Sequence, residues 1–277
     1  MMVWGIGLLG SAFIAGAAYR KRSLSGSGFV SAVIVGTLLY ALGSLAWFGT
    51  LIAFFISSTV LSKYKQKRKA LAEGGYAKSG RRDAGQVVAN GGLGVLLCVM
   101  NAAWPHSFWW IAFVGVMATV TADTWATEIG GLSRFQPRSI VTGKTVPSGT
   151  SGGLTGLGLM ASAAGGLFIG ALAWVFIQLG TPPVEGSGDA ASRFLFLILT
   201  GLLCGLIGSL ADSWLGATKQ VMYRCPVCGK EVEKPQHCGQ RTERVRGLKA
   251  MTNDSVNMLS SAAGGGTAIL LCLLFSI

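Results

Sequence analysis

Long apolar segments recur along the chain and are separated by shorter polar segments. Runs of about 18 to 25 apolar residues can cross the roughly 30 Å hydrocarbon core of a bilayer as α-helices. The pattern predicts an all-α fold, a polytopic transmembrane helix bundle of about eight spans that forms a single transmembrane domain over residues 1–277. Because only Gly43 and Ser44 separate the second and third runs, a re-entrant hairpin is an alternative there. The runs lie near residues 2–19, 27–43, 45–62, 86–103, 108–130, 152–179, 193–217 and 253–275.

The composition agrees with a membrane protein. Only 12% of the 277 residues are charged, whereas a soluble globular domain carries roughly 25%. The 41 glycines suit a membrane bundle, in which small residues let helices approach closely. The first apolar run is unlike a secretory signal peptide, because its basic cluster at residues 20–22 follows the run instead of preceding it. We therefore expect a first span whose N-terminus lies outside.

Lysine and arginine fall almost entirely in alternate polar segments. Of the 23 Lys and Arg residues, all but Arg193 lie within residues 20–22, 63–82, 134–144 and 219–249. Because such residues are retained on the cytoplasmic side of a membrane, we expect an integral protein of the cell membrane with cytoplasmic basic loops and both termini outside. This orientation also accounts for the net charge of +12, so the charge does not indicate a nucleic-acid partner.

A short sequence is repeated at corresponding places in the predicted topology. ADTW at residues 122–125 recurs as ADSW at residues 211–214, each at the cytoplasmic end of an odd-numbered span. A basic loop follows each copy, and then a span that opens on small polar residues, at 150–153 and at 252–255. Spans five–six and seven–eight are therefore predicted to be parallel helix-pair repeats. Spans three–four are a candidate third copy, because span four opens at Asp83.

Four acidic residues lie in or at the ends of predicted spans, namely Asp123, Glu128, Asp212 and Asp254. Ionisable residues inside a span are costly and are functional candidates by default. Asp123 and Asp212 are predicted near helix C-termini, where a carboxylate opposes the helix dipole and a cation would relieve the cost. We predict that they bind Mg²⁺, with Asp254 as a further candidate ligand. Helix capping or neutralisation of nearby Lys and Arg is the alternative, and it is strongest for Asp254.

The segment before span six has the composition of an anion-binding loop. Even-numbered spans start at the cytoplasmic face, so their free N–H groups and positive dipole ends point to one surface. Lys144 adds a charge, and glycines allow close approach of the backbone to a ligand. A loop of capping hydroxyl groups is the alternative. The candidate phosphate-binding residues here are Ser148, Gly149, Thr150, Ser151 and Gly152.

Two familiar catalytic patterns are excluded. Gly143, Lys144 and Thr145 resemble the end of a P-loop, but Arg138 stands where that motif needs its first glycine. A Ser-His-Asp hydrolase is also disfavoured, because the two histidines are His106, in an outer loop, and His237, in a cysteine cluster.

The cytoplasmic loop at residues 219–250 contains a Cys/His cluster, Cys225, Cys228, His237 and Cys238. Four such ligands suit tetrahedral Zn²⁺, and the C-x₂-C half is typical of a zinc knuckle. A redox dithiol lacks a thioredoxin-like context, and a stable disulfide is not expected in the cytoplasm. We predict a structural zinc ion. The remaining cysteines, Cys98, Cys204 and Cys272, are interpreted as small apolar side chains within spans.

Four motifs together resemble the integral-membrane family called domain of unknown function 92. They are ADTWATEIG at 122–130, GTSGGLT at 149–155, GSLADS at 208–213 and NDSVNMLSS at 253–261. The last motif adds Asn253 and Asn257 as candidate phosphate-binding residues. The family includes a plant phytyl-phosphate kinase, and it is more distantly similar to CTP-dependent dolichol and phytol kinases. The Cys/His cluster is not expected in the plant or animal relatives.

The resemblance implies a phosphotransferase that makes a prenyl (polyisoprenyl) diphosphate from an isoprenoid phosphate and CTP or another nucleoside triphosphate. Asp123, Glu128, Asp212 and Lys144 are the expected catalytic residues, with Mg²⁺ between the carboxylates and the nucleotide. The alternative is a transporter or flippase of a phosphorylated lipid, with its site near the membrane midplane. Acidic residues near one surface would favour the enzyme. A purely structural scaffold would leave the aspartates unexplained.

Overall fold

A computed structural model of the chain describes residues 1–64, 80–179 and 190–275, and eight α-helices run through these residues. Each predicted apolar run overlaps with one of them, which confirms the all-α prediction. Residues Leu39–Gly43 continue α2 as a π-helical turn. The helices are α1 Met2–Arg20, α2 Gly26–Leu38, α3 Leu45–Lys63, α4 Ala84–Ala103, α5 Ser107–Gly130, α6 Gly156–Leu179, α7 Ala190–Thr218 and α8 Asn253–Phe275.

The helices have the lengths and composition of membrane spans, with one informative exception. Seven of the described helices are long and apolar enough to cross a membrane, and both helices flanking Gly43 and Ser44 are among them. The exception is α5, whose residues from Trp110 to Ala122 are all buried. Its 24 residues correspond to about 36 Å, enough to span a bilayer. A helix packed on all sides by other helices does not need a lipid-facing apolar surface.

Helix α5 lies at the centre of the bundle. It packs against α3, α4, α6, α7 and α8. Helices α5 and α7 contact each other, and each of them packs against both α6 and α8, whereas α6 and α8 do not pack closely together. This is the arrangement expected of two parallel helix pairs related by a two-fold axis between α5 and α7.

Small residues make the close helix approaches possible. A Cβ atom added to Gly166 on α6 would collide with the carbonyl oxygen of Gly201 on α7, and one added to Gly201 would collide with that of Gly166. Their backbones therefore touch directly, as small residues permit in membrane bundles.

A long-range backbone contact holds the N-terminal helices together. Leu24, fully buried between α1 and α2, forms a β-bridge with Arg82. The Arg82 N–H donates to the Ser23 carbonyl at 3.0 Å, and the Ser25 N–H donates to the Arg82 carbonyl at 3.0 Å. Asp83 then caps α4 in a capping box with Gln86. The position of Arg82 is therefore fixed from both sides.

The polar connections carry short β-structure. Strands β1 (Arg138–Ser139) and β2 (Gly153–Leu154) pair between α5 and α6, which is why α6 begins at Gly156 and not at the predicted residue 152. Between α7 and α8 there is a three-stranded antiparallel sheet with the order β4-β3-β7, and a separate hairpin of β5 and β6. These five strands are β3 Met222–Arg224, β4 Glu231–Val232, β5 Gln236–His237, β6 Gln240–Arg241 and β7 Glu243–Arg246.

Candidate active site

A polar cavity of about 720 Å³ opens at one end of the bundle. The connections α1–α2, α3–α4, α5–α6 and α7–α8 all contribute to its lining, so the predicted basic segments meet at this end; residues 65–79 of the second segment lie outside the described residues. Lys144 and Asp254 are not among the described lining residues. The predicted site residues that do line the cavity are Asp123, Glu128, Asp212, Ser148, Gly149, Thr150, Ser151, Gly152, Asn253 and Asn257.

Asp123 and Asp212 reach the cavity because α5 and α7 cross next to them. One helical turn before each aspartate, Thr119 and Gly208 are in contact, and a Cβ atom on Gly208 would overlap the Thr119 side chain. Residues one turn apart lie on the same face of a helix, so the two carboxyl groups extend from this crossing into the same space. Asp123 is within electrostatic reach of the negative charge of Asp212.

Hydrogen bonds from α8 orient the Asp212 carboxylate. The Ser260 hydroxyl donates to Asp212 Oδ2 at 2.9 Å. With its amide nitrogen turned towards the site, Asn257 donates to the same oxygen at 3.2 Å and to the Asn253 carbonyl at 3.2 Å. The hydroxyls of Ser162 and Ser209, which also line the cavity, are 2.9 Å apart. Hydroxyl and amide groups therefore line the cavity together with the Asp212 carboxylate.

The loop before α6 packs against the C-terminal end of α7. The Ser151 hydroxyl donates to Gln220 Oε1 at 3.0 Å. Gly152 has φ +81°, and a Cβ atom there would collide with Ala217, so this close approach requires glycine. Lys144 is exposed and lies where β1 is followed by a turn, its carbonyl accepting a hydrogen bond from the Ser139 N–H at 2.9 Å. The loop thus brings residues 148–153 to the cavity without Lys144.

The other wall of the cavity contains a half-buried arginine. The Arg82 guanidinium donates to Thr59 Oγ1 at 3.2 Å and lies 5.8 and 5.6 Å from the ring centres of Phe54 and Phe55. Burial lowers the pKa of Arg82, while the Glu128 carboxylate opposes that shift. An arginine remains charged throughout the physiological pH range, so this wall carries a permanent cation.

Charge is unevenly distributed over the cavity lining, and Glu128 is the carboxylate that reaches the cationic side, where it accepts a hydrogen bond from Ser62 and acts on Arg82. The lining cations come from the connections around α1–α4, and the lining carboxylates come from α5, α7 and the connection between α7 and α8. The cations are Lys21, Arg22, Lys63 and Arg82, and the carboxylates are Asp123, Glu128, Asp212 and Glu233. An anion can therefore bind one wall directly, whereas the other wall suits a cation or an anion that carries one.

The Cys/His cluster forms a second site in the α7–α8 connection. One side-chain ligand atom from each of Cys225, Cys228, His237 and Cys238 lies within 4.8 Å of all the others. His237 ends β5, and Cys238 (φ 51°) and Gly239 (φ 77°) form the turn into β6. Two central residues with positive φ make a type I′ hairpin turn. This turn lets the adjacent side chains of His237 and Cys238 both face the cluster, whose four ligand atoms could hold a metal ion.

Local hydrogen bonds favour the thiolate of Cys225. Burial raises its pKa, but the backbone groups of Cys228 and Val227 and the side chain of His237 act in the opposite direction and bring the pKa to about 6. Burial and the neighbouring thiols raise the pKa of Cys238 to about 11. An adjacent metal ion would deprotonate such a thiol, because a coordinating cysteine is bound as thiolate.

The strands around this cluster are fixed to the end of α7. Arg246 donates to the carbonyl oxygens of Gly216 and Ala217 at 3.0 and 2.7 Å, which satisfies carbonyl groups that a helix C-terminus leaves free. Glu233, from the same connection, lines the polar cavity. The Cys/His cluster is therefore part of a unit that borders the candidate active site.

Comparison with known proteins identifies the family. The profile of the family described as "Integral membrane protein DUF92" matches residues 9–265, which is nearly the whole chain. The chain belongs to the DUF92 family. The family resemblance found in the four sequence motifs is thereby confirmed.

Relatives of this DUF92 chain occur in plants and archaea. Protein PGR of Arabidopsis thaliana is 33% identical over 264 residues, covering 90% of this chain and 89% of that protein. Protein VTE6, chloroplastic, of the same plant is 26% identical, covering 94% of this chain and 68% of that protein. An uncharacterized membrane protein of Methanocaldococcus jannaschii is 28% identical, covering 72% of this chain and 75% of that protein. No solved structure matches the chain.

Several lining residues of this DUF92 chain were not singled out from sequence. Ser209 lies within the motif at 208–213, in which Asp212 is the residue that indicates a site. Arg82, Gln86 and Asn90 flank or follow the polar opening of α4, which the sequence marked as a candidate third repeat. That candidate third copy points to Gln86 and Asn90 on the helix it opens, but it does not distinguish Arg82 from Arg81. Ser162 lies within an apolar run and has no comparable signal.

Proposed function

We propose that this DUF92 protein is a membrane phosphotransferase that makes a prenyl diphosphate from a prenyl phosphate and a nucleoside triphosphate. The observation that carries the proposal is the meeting of Asp123 and Asp212 with the Ser/Gly loop of residues 148–153 in one polar cavity. Carboxylates and phosphate oxygens are the usual ligands of Mg²⁺ in phosphotransferases, and phosphoryl transfer needs mainly positioning and charge stabilisation.

The donor set fits magnesium. Asp123 and Asp212 supply hard oxygen ligands, and the hydrogen bond from Ser260 holds the Asp212 carboxylate in place. Bound there, Mg²⁺ would neutralise charge on the nucleotide phosphates. The loop at 148–153 would bind the nucleotide phosphates through its hydroxyl and N–H groups. Glu128, which accepts a hydrogen bond from Ser62, is proposed to position the reactants near the transferred group.

The depth of the site favours an enzyme over a transporter. Asp123 is seven residues from Gly130, the last residue of the 24-residue helix α5, which places it about 10 Å from one end of a helix about 36 Å long. A midplane site would lie near the middle of that helix. We propose that this end faces the cytoplasm, as the basic segments predict.

Binding of nucleotide to the purified protein, with and without Mg²⁺, tests the proposal, starting with CTP. We expect Mg²⁺-dependent binding that is lost in Asp123→Asn and in Asp212→Asn, because each variant removes a carboxylate charge from the metal site. Glu243→Gln is the matched control, since Glu243 is exposed on β7 and does not line the cavity. Normal nucleotide binding by both aspartate variants would overturn the proposal.

A zinc ion in the Cys/His cluster is the second part of the proposal. A tetrahedral site with Zn–S distances of about 2.3 Å places its ligand atoms roughly 3.8 Å apart, and the four ligand atoms here lie within 4.8 Å of one another. Because four protein ligands leave no open position, we propose a structural role. The ion would stabilise the unit that contributes Glu233 to the cavity.

A further inference from the structure

A second, apolar cleft lies beside the polar cavity, among the first four helices. Its wall includes Ile14 of α1, Ala32 and Val35 of α2, Phe48 and Ile52 of α3, and Val87 of α4. Helices α1 and α3 border the cleft but do not pack closely against each other. Ile14 and Ile52 are half-buried, so the cleft is bounded by side chains at the surface of the bundle.

The cleft and the polar cavity share part of their lining. Arg82, Gln86 and Asn90 border both, so the apolar space ends where the polar space begins. Phe54 and Phe55, which flank the Arg82 guanidinium, also line the cleft. Arg82 thus lies at the junction with apolar rings on one side and the polar cavity on the other.

We propose that the hydrocarbon chain of a single-chain lipid phosphate monoester lies along this open cleft, with only part of it inside the enclosed space of about 50 Å³, and that Arg82 binds its phosphate at the edge of the polar cavity. A ligand that fits both spaces must have an apolar chain and an anionic head. The cationic side of the cavity, which also includes Lys63 and Lys21, is complementary to a phosphate. A guanidinium also binds phosphate in a bidentate manner.

This inference rests on the proposed function, because it assigns the acceptor to the cationic wall and leaves the carboxylate wall to the metal-bound nucleotide. The phosphate, not the chain, should dominate the affinity. A lipid chain that moves from the bilayer into the cleft exchanges one apolar environment for another, so little hydrophobic free energy is gained. The cleft then selects by shape, and Arg82 selects by charge.

The role of the phosphate is tested with two ligands, a twenty-carbon isoprenyl phosphate and the alcohol with the same chain. Their binding is measured to the full-length protein in phosphatidylcholine nanodiscs. Arg82→Gln should weaken phosphate binding about tenfold to a hundredfold and leave the binding of the alcohol unchanged. Arg82→Lys should retain part of the affinity, since it keeps the charge but loses the bidentate geometry. Arg81→Gln, an exposed neighbour outside both linings, should bind like the unchanged protein. Equal loss of phosphate and alcohol binding in Arg82→Gln, or loss of neither, overturns the assignment.

Substitutions on α3 test whether the lipid chain occupies the cleft. Ile52→Trp narrows the cleft and should weaken binding of the twenty-carbon phosphate but not of a five-carbon isoprenyl phosphate. Ile56→Trp, one turn along on an exposed position outside the cleft, should have no effect. The proposal of a single-chain cleft is overturned if the two tryptophan variants weaken binding of the twenty-carbon phosphate equally. It is also overturned if two-chain phosphatidic acid binds as tightly as that ligand. If the lipid phosphate binds as described but nucleotide does not bind, the cleft assignment is supported and the kinase proposal is wrong. If nucleotide binds but the lipid phosphate does not bind as described, only the cleft assignment is wrong.

Discussion

The Thr119 hydroxyl on α5 bridges two carbonyl oxygens, those of Gly115 on its own helix and Cys204 on α7, both at 3.0 Å. Gly115 and Cys204 occupy equivalent positions in the two repeats, each seven residues before the Ala of the ADTW or ADSW segment. Thr119 and its contact Gly208 are equivalent in the same way. Equivalent residues of the two segments therefore meet at this crossing, and this places Asp123 and Asp212, one turn further on, at the same cavity.

Gly208→Ala should destabilise the protein, because the added methyl group would overlap the Thr119 side chain. Overpacking of a close helix contact typically costs about 1–3 kcal/mol. Thermal unfolding in detergent, followed by the loss of helical circular dichroism, should show a lower midpoint. Gly266→Ala on α8 is the control, since nothing lies within 4 Å of its added Cβ. An unchanged midpoint in Gly208→Ala would contradict the close crossing.

Ser260→Ala should weaken Mg²⁺-dependent nucleotide binding about tenfold or more, the usual effect of removing a group that orients a metal ligand. Its hydroxyl donates to Asp212, whereas the neighbouring Ser261 hydroxyl donates to the Met258 carbonyl in its own helix. Ser261→Ala is therefore matched in chemistry and position. Titration calorimetry at several Mg²⁺ concentrations measures the effect. If the two alanine variants lose the same affinity, the role of Ser260 as an orienting residue is wrong.

The helices and the pairing of Asp123 with Asp212 could be predicted from the sequence because both depend on local patterns. Apolar run length is a property of a single segment, and the ADTW/ADSW repeat encodes a symmetry that brings equivalent residues together. Lys144 is expected at the site because it adds a charge to the segment that leads into the Ser/Gly loop and because of the family resemblance. The turn after β1 separates the two, and no periodicity signals that turn.

The role of Arg82, in contrast, could not be predicted from the sequence. In the sequence it is one of several basic residues between 63 and 82, with nothing to distinguish it from Arg81. Its position is set by the β-bridge to Leu24 and by the rings of Phe54 and Phe55, which are contacts between distant segments. Such contacts arise only from the packing of the whole bundle.

The two ends of the bundle should be accessible from opposite sides of the membrane. In a background lacking Cys228 and Cys238, we expect Phe135→Cys, in the exposed α5–α6 connection, to be labelled only from the cytoplasmic side. Pro105→Cys, in the exposed connection between α4 and α5, should be labelled by a membrane-impermeant maleimide added to intact cells. The reason is retention of Lys and Arg in the cytoplasm. Labelling of both positions from the same side would refute the predicted topology.

The purified protein should contain about one equivalent of zinc, as expected for a closed four-ligand site. Cys225→Ser and Cys228→Ser should each lower the metal content towards zero, because a hydroxyl is a poor replacement for a thiolate ligand. Cys98→Ala is the control, since Cys98 is buried in α4 far along the chain from the cluster. Elemental analysis by mass spectrometry measures the metal directly.

Loss of this metal should affect the α7–α8 connection and spare the helices. Because the type I′ turn at Cys238 and the turn after Cys225 meet at the cluster, chelation should make residues 219–250 more sensitive to limited proteolysis. The contact of Arg246 with the end of α7 is separate from the metal, so helical circular dichroism should change little. Zinc content that persists in both cysteine variants would show that the metal, if present, is bound elsewhere. Proteolysis that is unaffected by chelation would show that the strands hold this connection together without the ion.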